Sequence, residues 1–317
     1  MSRVALLSPT SLLGKEIRQA IENRSDLAGD LRLLAVDEQE VGALTEVAGA
    51  AALVNRFDPL DLEGVDVLVT CGEIEKDRLA LAEVPAGFPV VVASRGATLA
   101  DGAPRVPGAS PRLLPGARLV SPPPRVVALA HLLAPLAPLG IAEAVATLLE
   151  PASIAGEAGL DELFEQTRAI LAFQTPVKSK LFPGQIAFNL LPSREDPEAT
   201  VTLLDQTLGA RTGASLSILQ AGVFHSLTIS LRVRFADPIG EGQVRRRLAE
   251  RPTLELVRRP DRLGAVAAAG TEKILIGEVR QSADAAWIWA VLDNLTTGGA
   301  ANVLRLLEDL AAGPADA

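Results

Sequence analysis

Val4-Ala5-Leu6-Leu7-Ser8-Pro9-Thr10-Ser11-Leu12-Leu13-Gly14 carries the strand, turn and helix pattern on which the fold class rests. Four apolar residues read as a buried strand, Ser8 to Ser11 as a tight turn, and Leu12, Leu13, Ile17, Ala20 and Ile21 as one face of the helix that follows. The pattern then repeats. Leu31–Val36, Val65–Thr70 and Pro89–Ala93 are further short apolar runs spaced by helical patterns, which predicts a doubly wound, Rossmann-like α/β sheet of parallel strands. Gly102 to Pro124 carries seven prolines and three glycines and reads as an irregular passage to a second domain.

Beyond that passage the rhythm changes. Leu160–Thr167 opens an amphipathic helix, with Asp161 and Glu162 placed in its first turn. Ile186–Leu191, Ser215–Ala221, Ser226–Phe235, Lys273–Val279 and Ala286–Leu292 read as strands with few helices between them, hence an α+β domain on a mostly antiparallel sheet. A last helix, from about Gly298 to Leu310, presents Ala301, Leu304, Leu307 and Leu310 as an apolar stripe. The predicted division is 1–124, 125–292 and 293–317.

With 317 residues, 48% of them hydrophobic, the chain has enough apolar material for two domains. The net charge of −9 and the absence of Tyr argue against a phosphate backbone or stacked bases as partners, so no nucleic acid is expected. One cysteine, Cys71, excludes an internal disulfide, and the first strand starts too early to follow a signal peptide; the cytoplasm is the expected compartment. Val126 to Leu149 is long enough to span a bilayer and has only His131 and Glu143 as ionisable residues. Pro135, Pro138 and Gly140 break it into a buried helix ending near Leu136 and a strand from about Ile141, so no membrane partner is expected.

Three segments in order resemble the aspartate-semialdehyde dehydrogenase family. They are Ala158-Gly159-Leu160-Asp161-Glu162-Leu163 with Glu165-Gln166-Thr167, then Phe182 with Gln185 to Pro192, and Trp289 to Asn302. The resemblance implies a Rossmann-like domain, a dimerisation domain, and a last helix that returns to pack on the first. It also implies a thioester-forming cysteine at a helix start and hydride transfer to NADP.

The positions that correspond to that machinery carry other residues. Pro124 stands for the nucleophile, Glu150 for the orienting glutamine, and Gln220 and Leu227 for the substrate-binding arginine and the catalytic histidine, with Thr98 for a second arginine. A leucine cannot relay a proton, and a neutral amide cannot replace a bidentate arginine. In the phosphate turn only Thr10 and Gly14 match the family's GATGxVG, and Pro9 has no N–H to donate. Thr10, Ser11, Gly14 and Asn294 are at most a vestigial NADP site, and the plain reading of the turn is a helix capped by Thr10 or Ser11. No cofactor and no metal are expected.

The combined expectation is a catalytically silent, Usg-like paralogue, because Gln220-Ala221-Gly222-Val223-Phe224 resembles a run in the non-catalytic Usg-type paralogues. Two other readings stay open. One is an NAD(P)-dependent oxidoreductase with a different site, using Glu150 as general base or a relocated Cys71–His225 pair, His225 and Leu227 lying on one strand face. The other is a regulatory subunit forming a heteromer with an active homologue. For Glu150 alone, a surface or interface carboxylate is the plainer expectation. A homodimer is expected through the sheet strands 215–221 and 226–235, whose apolar residues exceed what one covered face needs, the other face resting on the helix from Leu160.

Overall fold

A computed structural model describes residues 3–24, 30–47, 49–111, 118–174 and 177–312. The chain forms two compact units, one of residues 1–123 with 299–317 and one of residues 124–298.

The first unit holds β1 (Arg3–Leu7), α1 (Leu12–Glu22), β2 (Asp30–Ala35), a hairpin of β3 (Leu44–Val47) and β4 (Ala50–Leu53), β5 (Asn55–Arg56), β6 (Val67–Thr70), α2 (Ile74–Glu83), β7 (Val90–Val92), β8 (Ala103–Pro104) and β9 (Arg118–Val120). Seven of these strands form one sheet in the order β5-β2-β1-β6-β7-β9-β8, every neighbouring pair parallel. Such strands are buried on both faces, which is why β1 and β6 read as unbroken apolar runs. The 102–124 stretch is less irregular than its prolines imply. Leu119 and Val120 are buried in β9, and Pro104 is confined to the sheet's edge strand, where its missing N–H costs no ladder bond; residues 112–117 lie outside those described.

The C-terminal helix α8 (Ala301–Ala311) belongs to this unit. Val303, Leu304, Leu306 and Leu307 join Val4, Leu6, Ile17 and Ile21 in one core. The apolar stripe is therefore wider than the one read from the sequence, and a π-helical turn at Thr296–Ala300 leads into it.

The second unit runs through α3 (Pro124–Leu133), β10 (Ile141–Glu150), α4 (Glu157–Leu171), β11 (Leu190–Pro192), α5 (Pro197–Leu208), β12 (Ala214–Ala221), β13 (Leu227–Phe235), α6 (Gln243–Ala249), β14 (Leu254–Leu256), α7 (Ala265–Ala268), β15 (Ile274–Gln281) and β16 (Ala285–Leu292). Its seven strands lie in the order β11-β12-β10-β13-β16-β15-β14. All pairs are antiparallel except β10–β12 and β14–β15.

Several local expectations need correction here. α4 starts at Glu157, so Asp161 and Glu162 lie beyond its first turn; the Glu162 carboxylate instead accepts the Leu181 N–H at 2.7 Å. Ile186 and Ala187 are not in a strand: their N–H groups donate to Gln166 Oε1 at 2.7 and 3.1 Å, and the chain turns at Phe188, whose φ is +58°. A side-chain acceptor has taken the place of a ladder partner. Helices α5 and α6 add to the expected strands, and Asp196 as N-cap with Pro197 at the first helical position signals α5.

The expectation that the strands 215–221 and 226–235 carry more apolar residues than one covered face needs does not hold for β13. Leu227, Ile229, Leu231 and Val233 are fully buried, while Thr228, Ser230, Arg232 and Arg234 alternate with them on the other face. Helix α4 packs on the 182–187 segment through Leu163, Phe182 and Ile186. Helix α3, buried from Arg125 to Leu133, packs on α5, and α5 packs on β12.

Candidate functional site

Pro124 begins α3, where its missing N–H is no loss. It packs on the π-helical turn so closely that a Cβ at Gly298 would lie 2.6 Å from its own Cβ. The next residue dominates this end of the helix. Arg125, only 8% exposed, donates to Glu150 Oε1 at 2.9 Å, to Glu195 Oε2 at 2.7 Å and to Thr200 Oγ1 at 3.2 Å.

Glu150 is 1% exposed at the end of β10, a buried ion-pair partner and not the surface or interface carboxylate expected. Burial raises its pKa above the ordinary carboxylate value and outweighs the opposing pull of Arg125. Gln220 stands in register beside it on β12. Glu150 Oε2 and Gln220 Oε1 are both buried without a hydrogen-bond partner among the described residues. Leu227 opens β13 opposite Leu292 and is fully buried, with no group that could take or give a proton.

Asn294, 1% exposed, is consumed by internal contacts. Its Oδ1 accepts the Ser226 N–H at 3.0 Å and its Nδ2 donates to Ser153 Oγ at 3.0 Å. The carboxamide thus holds Ser226, whose φ is +79°, in the bend that precedes β13. His225 lies in that bend and not on the strand, so strand alternation does not place it with Leu227. It belongs to the second unit and Cys71 to the first.

In the first unit the β1–α1 turn lies at the carboxyl edge of the parallel sheet, where α/β proteins take ligands. Ser11 caps α1: its Oγ accepts the Gly14 N–H at 2.9 Å and donates to the Cys71 carbonyl at 2.7 Å. Gly14 is required by the turn itself, because a Cβ there would lie 2.7 Å from Ser8 O. Ser8 is left-handed at φ +63°, a cost of about 1–2 kcal/mol for a non-glycine residue. Two bonds sustain it, its N–H to Leu34 O and its Oγ to Asp77 Oδ1, both at 2.9 Å.

Asp77 is fully buried at the start of α2. It also accepts from Ser94 Oγ at 2.6 Å and Gly72 N at 2.9 Å. Burial raises its pKa and these three neutral donors only partly oppose that. A carboxyl group with no cation among its hydrogen-bond partners therefore sits beneath the turn that would cradle a pyrophosphate. Ser8 and Gly72 lock the two turns together, since a Cβ on Gly72 would meet Ser8 Oγ at 2.5 Å.

Cys71, 3% exposed, donates its thiol to Leu7 O at 3.0 Å. Burial pushes the thiol well above its ordinary pKa, and Asp77 adds to that. Thr98 gives its N–H to Asp101 at 2.8 Å, and Asp101 in turn pairs with Arg78 at 2.9 Å. Among the described residues no group of three or more His, Cys, Asp or Glu is placed to hold a metal ion.

Sequence reasoning missed the residues that organise both places. Arg125 follows three prolines and looks like an exposed helix start, while its partners are 25, 70 and 75 positions away. Asp77 reads as one more acid in a helix's first turn.

A parallel nucleotide-type sheet with a mixed-sheet second unit defines a semialdehyde dehydrogenase-type protein. Residues 133–297 match the family described as semialdehyde dehydrogenase, dimerisation domain. The chain is 30% identical over 331 residues to a USG-1 protein homolog of Azotobacter vinelandii, covering 96% of each. It is 26% identical to an aspartate-semialdehyde dehydrogenase of Prochlorococcus marinus, covering 96% of this chain and 94% of that one. A probable aspartate-semialdehyde dehydrogenase from Pseudomonas aeruginosa superposes with a TM-score of 0.88 at 25% identity, covering 98% of both chains. The chain belongs to the aspartate-semialdehyde dehydrogenase family.

Proposed function

We propose that this chain is a non-catalytic member of its family, a homodimer that acts through binding or assembly in the cytoplasm. One observation carries the reading. Covalent catalysis in the family needs a thiolate, and the only cysteine is a buried thiol, hydrogen-bonded to a backbone carbonyl and held protonated by its surroundings. At the α3 start, where a nucleophile would profit from the helix dipole, Pro124 has no reactive atom. The adjoining charge is spent on the Arg125–Glu150 pair.

The same reasoning extends to the cofactor. A left-handed serine, a proline and a buried carboxyl group under the turn suit a pyrophosphate poorly, so no NAD or NADP is expected to bind tightly. Glu150 is a poor general base, because it is walled in and tied to Arg125.

The homodimer is supported by the match of residues 133–297 to a dimerisation domain and by the open face of its sheet. Val145, Arg232 and Trp287 stand in one row across β10, β13 and β16, with Val145 and Trp287 exposed at 40% and 44%. Among the described residues, no helix is long and apolar enough to cross a membrane.

The direct test is NADP reduction with aspartate semialdehyde and phosphate. The expected rate equals the buffer blank, both for the wild type and for Cys71→Ser. Turnover in the wild type would overturn the proposal, and its loss in Cys71→Ser would identify the thiol as responsible.

A further inference from the structure

The turn between α3 and β10 and the end of α6 enclose a pocket of about 210 Å³, lined by Pro135, Pro138, Arg247, Glu250 and Arg251. The surroundings are unusual for this chain. Its net charge is −9, yet between Gln243 and Arg262 there are seven arginines and only three acidic residues. Arg247 in α6 and Arg251 just past the helix's end are both half-buried, and both line this pocket. Neither has an ion pair or a side-chain hydrogen bond among the described residues. Most other buried or half-buried arginines do better: Arg125 has Glu150 and Glu195, Arg105 has Asp309, and Arg18 has Thr45 and the Glu46 carbonyl.

Two half-buried arginines lining one cavity without an ion-pair partner among the described residues favour an anion there, and their planar forks suit phosphate oxygens. Glu250 supplies the only acidic group in the lining, and a carboxylate accepts from a hydroxyl but repels the anion itself. The two prolines give the opposite wall a fixed shape. We propose that this pocket binds a small hydroxylated phosphate monoester, with Arg247 and Arg251 on the phosphate and Glu250 on a hydroxyl. The site lies wholly within the second unit and uses none of the residues discussed above for catalysis or for the open sheet face. It gives a protein without chemistry a ligand to respond to.

Titration calorimetry of the full chain with glycerol 3-phosphate tests this, with succinate as a dianion that lacks phosphate and Arg258→Gln as a control outside the pocket. The expected result is binding with Kd below about 1 mM for glycerol 3-phosphate, at least tenfold tighter than for succinate. Arg247→Gln and Arg251→Gln should each weaken it by at least tenfold, Glu250→Gln should weaken it less, and Arg258→Gln should leave it unchanged. Unchanged circular dichroism in these half-exposed variants separates lost contacts from lost folding. Absence of binding at millimolar ligand, equal binding of succinate, or binding indifferent to both pocket arginines would each overturn the proposal.

Discussion

Arg125, at the first turn of α3, and Glu150, at the end of β10, form an ion pair of 2.9 Å inside the second unit. The pair joins a helix start to a strand end and leaves neither charge available to a substrate. Removing Arg125 strands Glu150 in a place nearly closed to water, whereas without Glu150 the guanidinium keeps Glu195 and Thr200. Arg125→Ala is expected to cost about 3–5 kcal/mol and Glu150→Ala less, whereas Arg125→Met with Glu150→Leu should recover most of the larger loss. Urea denaturation of the three variants in a double-mutant cycle measures it; single losses under about 1 kcal/mol would show the pair to be no more than a surface-type bridge.

The same carboxyl group gives a pH signature. Burial raises the Glu150 pKa in the folded state, so the folded protein holds this proton more tightly than the unfolded chain does. Its stabilising contribution is complete below the ordinary glutamate value and is lost as pH rises through the raised one. The difference in unfolding free energy, wild type minus Glu150→Gln, should therefore fall with pH across that window, with a slope no steeper than about 1.4 kcal/mol per pH unit. A difference that climbs with pH would mean that Arg125 outweighs burial.

Cys71 should behave as an inert core thiol. Native protein is expected to resist a thiol-specific reagent at neutral pH, and denatured protein to react with one thiol per chain. Rapid labelling of the native state would place the sulfur in solvent and remove the main support for catalytic silence.

The two turns at the edge of the parallel sheet should tolerate no added bulk. Gly72→Ala puts a Cβ 2.5 Å from Ser8 Oγ and is expected to cost about 1–3 kcal/mol, the range for overpacking. Gly184→Ala, with nothing within 4 Å of the new atom, is the matched control. Titration of the wild type with NADP should give a dissociation constant weaker than about 10 μM, roughly −7 kcal/mol. Tighter binding would show that the Ser8–Asp77 arrangement opens for a nucleotide.

The dimer is expected to depend on the open sheet face. Val145→Asp and Trp287→Asp should each shift the light-scattering mass from near twice 33.1 kDa towards the monomer while the fold persists. Ile229→Asp or Leu231→Asp does not probe association, because both residues are fully buried within the protomer and a charge there should unfold it. A monomeric wild type at micromolar concentration would overturn the homodimer.

The residue pattern alone specifies the parallel strands β1, β2, β6 and β7, the strands β10, β12, β13, β15 and β16, and the last helix. Those elements carry their own periodicity, continuous where two faces are buried and alternating where one is. It also determined what stands where a thiol, a proton relay and a glycine-rich turn would be: Pro124, Leu227 and Ser8. The assembled chain alone shows that α4 packs on the 182–187 segment, since alternation separates Ile229 from Arg232 but names no partner element. It alone paired Arg125 with Glu150 and Glu195, put Asp77 under the β1–α1 turn, and turned Ile186 and Ala187 from a strand into a loop pinned by Gln166. These pairings join residues 20 to 70 positions apart, and their strength comes from burial. Local sequence sets backbone preference, but the dielectric around a charge is set by what the rest of the chain brings to it.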